Sequence, residues 1–120
     1  MTADSWFAAS LVLAVLNERG GLWRRVTSVV LVKADDFEEA FEKACHQGHE
    51  QETRYENAEG EGVRWAFEKV ATLDMLPEVL VDGTEIYSEP GPLINDRSVP
   101  FDHQFDPRAS PPGQSGVSPT

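Results

Sequence analysis

The sequence predicts an α+β domain: an antiparallel sheet of five to six strands with one helix packed on one face, in the order strand, strand, helix, then four further strands. Three observations carry that expectation. Two long apolar runs rich in β-branched residues flank a turn signal, one amphipathic segment begins with capping residues, and shorter alternating segments follow between Gly-containing turns. With 120 residues there is room for one domain. It is expected over residues 1–88, with a tail over 89–120.

Trp6 to Leu16 is continuously apolar, and periodicity alone does not separate a buried strand from a buried helix. Its neighbours decide. Asn17-Glu18-Arg19-Gly20-Gly21 is a turn signal, and Leu22 to Lys33 contains the run Val26-Thr27-Ser28-Val29-Val30-Leu31-Val32. The two runs therefore pair as a hairpin. Asp35 and Asp36 then offer N-caps, with Glu38 and Glu39 each three residues beyond one of them, the spacing of a capping box. Phe37, Ala40, Phe41 and Ala44 recur at helical spacing on one face. Gly48 is placed to end that helix. Glu52 to Glu56 and Val63 to Val70 alternate around the turn 57–62 and read as a second hairpin. A third is expected from Val79-Leu80-Val81, Asp82-Gly83 and Thr84-Glu85-Ile86-Tyr87, with Pro77 at the strand entrance. From Glu89 onward, seven of the eight prolines accumulate with Gly, Ser and Asp. Such a segment is expected to be disordered or loosely draped, most clearly from Ser110 to Thr120.

The opening Trp6-Phe7-Ala8-Ala9-Ser10-Leu11, the strand end Val29 to Ala34 leading to Asp36-Phe37-Glu38-Glu39-Ala40, the run Val63 to Val70, and Asp82 to Ser88 together resemble a small bacterial domain-of-unknown-function family of the DUF4288 type. The likeness spans about residues 5–88. It implies a bacterial, stand-alone cytoplasmic domain and supplies no catalytic residues.

A formal net charge of −11, from 21 acids against 10 Lys and Arg, repels phosphate backbones, argues against nucleic-acid binding and favours a basic protein partner. A single cysteine, Cys45, forbids an intramolecular disulfide and suits a reducing compartment. The N-terminus lacks the basic cluster of a secretory signal, and the apolar run after it is too short to cross a bilayer as a helix. The cytoplasm, with no membrane contact, is the expectation.

Cys45-His46-Gln47-Gly48-His49-Glu50 invites a metal, but two ligands four apart with a glycine between do not make a zinc site. Cys45 also lacks the base and oxyanion hole of a nucleophile. No metal, cofactor or catalytic residue is expected. Ten acids lie between Asp35 and Glu61, against Lys43 and Arg54 alone. If helix and following hairpin lie side by side, Asp36, Glu38, Glu39, Glu42, Glu59 and Glu61 form a negative surface that steers toward a basic partner. Trp23, beside Arg24 and Arg25, is an interface candidate. Phe101 and Phe105 are isolated aromatics able to dock into a groove of this protein or another. The leading expectation is a non-enzymatic protein-binding or regulatory module, such as a toxin-neutralising protein, monomeric or paired through an edge strand. The alternatives are a small-molecule binder or enzyme with a pocket between sheet and helix, and a structural subunit of a larger assembly.

Overall fold

The computed structural model describes residues 4–110 and Pro112. Four strands and one helix succeed one another as β1 (Ser5–Asn17), β2 (Gly21–Ala34), α1 (Phe37–Glu50), β3 (Thr53–Glu56) and β4 (Gly62–Met75). All pairings are antiparallel, and the order across the sheet is β2, β1, β4, β3. The class is α+β, as expected, but the sheet has four strands instead of five or six.

β1 takes the centre because it alone is apolar on both faces. Phe7, Ala8, Ala9, Leu11, Val12 and Leu13 are buried with Ser10, and a strand sandwiched on both sides is the one that reads as an unbroken apolar run. Phe7, Ala9, Leu11 and Leu13 face α1 and pack with Val30, Val32, Trp65, Phe67, Val70 and Leu73. The indole N–H of Trp65 is buried there without a hydrogen-bond partner among the described residues. On the opposite face, Thr72 Oγ1 donates to Ser10 Oγ at 2.7 Å, satisfying the buried serine. The pairing of β1 with β4 slips twice, between Ser10 and Leu11 and between Val12 and Leu13. Each slip leaves an extra residue on β4, Ala71 and Glu68, and such bulges curl the sheet.

α1 starts where the capping residues place it. Asp36 accepts from the Glu39 amide at 2.8 Å, and Glu39 Oε1 reaches back to the Asp35 amide at 2.7 Å. Its end differs from expectation: α1 runs through Gly48 to Glu50, with Gln51 as C-cap. Gly48 is buried against β4, and a Cβ there would lie 2.3 Å from the Phe67 ring. It serves close approach, not termination. The buried stripe is accordingly Ala40, Ala44 and Gly48, while Phe37 and Phe41 stay half exposed. Phe37 sets its ring edge-on to Phe7.

The third hairpin does not form. The Asp82-Gly83 turn is present, with Gly83 at φ +88° and the Thr84 amide donating to the Val81 carbonyl. The Val81 amide, however, is taken by Thr84 Oγ1 at 2.9 Å, and Val79 and Val81 remain exposed. Arms this short, with no face to bury, do not hold a ladder on their own. Pro77 follows the end of β4 instead of opening a strand.

The chain divides into two compact units, Met1–Glu89 and Pro90–Thr120. The described part of the second contains a single 3-10 turn, Pro107–Ala109, capped by Asp106. Most of the stretch from Ser110 to Thr120, where disorder was most clearly expected, lies outside the described residues. Among the described residues, no helix is long and apolar enough to cross a membrane.

Candidate functional site

The two hairpin turns interlock at one end of the sheet. Glu18 accepts from the Gly62 amide at 2.7 Å, while its own amide donates to the Gly62 carbonyl at 3.0 Å. Asn17 Nδ2 and Asn57 Nδ2 both donate to Glu61 Oε1, at 3.0 and 3.2 Å, and Arg19 pairs with Oε2 at 3.4 Å. These donors favour the ionised form, and the Asn17 and Asn57 bonds hold the Glu61 carboxyl below its ordinary range.

Over this clasp lies a depression of about 450 Å³ bordered by Gly21, Trp23, Tyr55, Asn57, Glu59 and Glu61, among others. Three of the residues singled out from sequence, Trp23, Glu59 and Glu61, therefore converge, joined by Tyr55. Trp23 is 67% exposed and Tyr55 48%. Rigid aromatics with a polar rim are the composition of an interface anchor. Arg24 stands 5.2 Å from the Trp23 ring centroid.

The helix acids are elsewhere. Asp36, Glu38, Glu39 and Glu42 border a shallow hollow at the start of α1, beside the Ser5 and Ala34 end of the β1–β2 pair. Glu59 and Glu61 belong to the Asn17 end, roughly 40 Å away along β1. Helix and hairpin thus do not merge these residues into one surface. Asp36, Glu39 and Glu61 are moreover engaged in local structure, as cap, capping partner and turn clasp. Phe101 and Phe105, in the second unit, are exposed, and the Phe105 ring stands edge-on to His103.

Because α1 continues past Gly48, Cys45 and His49 do lie on one helix. His49 is nevertheless committed: Nδ1 lies 3.2 Å from Glu52 Oε1, and its ring stands edge-on to Phe67. Glu52 also accepts from the Phe67 amide at 2.9 Å. That bond first, and His49 second, hold the Glu52 carboxyl low. Among the described residues no group of three or more His, Cys, Asp or Glu is gathered as for a metal ion.

Two further features came from topology and not from any motif. Among the described residues β2 pairs with β1 alone, so its outer edge is open along residues 21–32. A groove of about 610 Å³ runs beside it, between Leu31, Lys33 and the Glu39, Glu42, Lys43 and His46 flank of α1. Lys43 Nζ donates to the Lys33 carbonyl at 2.6 Å and covers that end of the strand. On the sheet face away from α1, a cleft of about 630 Å³ is lined by Thr72, Asp74, Thr84, Ile86 and Tyr87.

Residues 6–88 match the model of a family described as Domain of unknown function (DUF4288). No curated protein and no solved structure matches the chain.

Proposed function

The chain belongs to the DUF4288 family, whose description assigns no activity, and from that premise we propose that it is a non-enzymatic protein-binding module whose contact surface is the outer edge of β2 with Trp23 at its end. The observation that supports this reading is the composition of that edge. Leu22, Trp23, Val29 and Leu31 are all exposed on β2, whose middle, residues 26–32, has no Pro and no charge, while its cations Arg24, Arg25 and Lys33 and its one register slip lie toward the ends. Natural proteins protect long edges with such devices, and an edge left open is a template for strand addition. Compared with the acidic surface expected from sequence, the proposed contact moves from the helix to the sheet.

The test is site-specific photocrosslinking in cells, with the photoreactive residue placed at Thr27 on β2 or at Glu38 on α1, both exposed. Protein adducts at Thr27 and none at Glu38 are expected. Adducts at Glu38 alone would return the contact to the acidic helix and overturn the reading.

A second reading, a small-molecule binder, draws support from the cleft where Thr72, Asp74 and Tyr87 converge. A thermal-shift screen with polar metabolites tests it, and a stabilising hit abolished by Asp74→Ala would favour it.

A further inference from the structure

We propose, resting on the strand-edge reading above, that the partner at the β2 edge is a second copy of this chain, paired antiparallel about a two-fold axis passing near Val29. Two antiparallel edge strands related by a two-fold belong to one continuous sheet. The axis then stands perpendicular to that sheet and leaves both helices on the same face. The same patch meets itself, so it must be complementary to its own reverse.

β2 meets that requirement. From Val26 to Val32 it carries no charge. Val26, Ser28, Val30 and Val32 lie on the helix face, opposite Leu13, Leu11, Ala9 and Phe7, while Thr27, Val29 and Leu31 lie on the other. Reversal about Val29 sets Val29 against itself and Val26 against Val32, with Thr27 opposite Leu31 and Ser28 opposite Val30, so every pair is uncharged and each has at least one β-branched member.

The ends carry charges of both signs: on the face away from α1 this register sets Arg25, itself paired with Glu68 of its own copy, opposite Lys33, and the opposite-charge contact lies on the helix face. Arg24 pairs with Val15 and so lies on the helix face. It stacks on Trp23 and, among the described residues, has no ion pair. Glu42 borders the groove beside Leu31–Lys33, at the opposite end of the same strand. The two-fold carries Arg24 of one copy to the Val32–Ala34 end of the other, on the face where that copy's Glu42 stands, and does so twice. A net charge of −11 on each copy opposes association at long range. The ladder and the uncharged contacts of residues 26–32 therefore supply affinity, and the Arg24–Glu42 pairs set the register.

Sedimentation velocity of the full chain over a concentration series tests this, with Val29→Lys, Arg24→Glu, Glu42→Lys and the double variant Arg24→Glu/Glu42→Lys, each checked for native circular dichroism. The wild type is expected at twice the chain mass, dissociating on dilution. Val29→Lys and each single reversal should weaken association about tenfold or more, and the double reversal should restore it. Should Val29→Lys fail to fold, protection of the β2 amides that rises with protein concentration supplies the same evidence. A single-chain mass at every concentration, or a dimer indifferent to Val29→Lys and Arg24→Glu, overturns the proposal. If the mass is that of one chain while Thr27 crosslinks to other proteins, the second copy is excluded and the edge reading stands. If Thr27 crosslinks to nothing as well, both fall.

Discussion

Arg25 on β2 and Glu68 on β4 meet at 2.8 Å across the full width of the strand between them. Arg25 is paired to Ala14 of β1, and Ala14 is paired in turn to Ala66 of β4. Two strand spacings, about 9.6 Å, separate the outer backbones. The short Ala14 side chain leaves the passage open, and the bulge at Glu68 is where β4 bends. Arg25 holds the Glu68 carboxyl below its ordinary range.

Ala14→Leu should obstruct that passage, whereas Arg25→Ala and Glu68→Ala remove its two ends. A double-mutant cycle on Arg25 and Glu68, read from urea midpoints, is expected to give a small favourable coupling. Both side chains are partly exposed, so it should vanish near 1 M salt, where the screening length is about 3 Å. A coupling that persists in high salt would show that the contact is more than an exposed ion pair.

Gly48→Ala tests the close approach of α1. On helix propensity alone the change should stabilise by about 1 kcal/mol. The new Cβ would instead lie 2.3 to 2.6 Å from three ring atoms of Phe67, Cγ included, so the ring must move bodily. We expect a net loss of about 1–3 kcal/mol in denaturant unfolding. Adding Phe67→Leu should relieve the clash and bring the double variant above the sum of the two single changes.

Asp36→Ala removes the cap that accepts from the Glu39 amide. Thermal unfolding should register a loss of about 1 kcal/mol, and Asp36→Asn should recover most of it.

Acid sensitivity follows from three carboxylates. Glu52, Glu61 and Glu68 all have lowered values in the fold, through the Phe67 amide, the Asn17 and Asn57 amides, and Arg25 respectively. Each therefore contributes stability that is complete above the unfolded value of 4.5 and is lost as pH falls through the lower folded value. Asp4 runs the other way, because its hydrogen bond with Asp35 raises its value. The urea midpoint should be level from about pH 7 to 5 and fall below about 4.5. Glu61→Gln should make that fall shallower; an unchanged acid slope in this variant would remove Glu61 from the account.

The sequence makes the centre of the fold legible and hides its periphery, for physical reasons. An apolar run with no polar alternation has to be covered on two faces, and β1 is. The Asp36 cap and the turn 57–62 are local devices whose partners lie within a few residues. Gly48 carries two meanings near a helix end, termination or close approach, and only the position of Phe67 decides between them. Asp82-Gly83 makes its turn, but turn chemistry is silent on whether the arms find something to cover. The gathering of Trp23 and Tyr55 with Glu59 and Glu61 depends on β4 returning beside β1, a long-range event that no spacing along the chain records.

That same central placement of β1 has a kinetic consequence. Its pairing with β2 closes over the short turn 18–20, whereas its pairing with β4 joins Asn17 to Val63 and Phe7 to Met75. Loop closure therefore favours the β1–β2 hairpin early and delays the other side. During synthesis the most apolar strand leaves the ribosome ahead of both its partners and waits, with one flank bare, until the chain has been made through Met75. The interval before β4 arrives is when this protein is most exposed to aggregation, and β4 ends that interval as much as it completes the sheet.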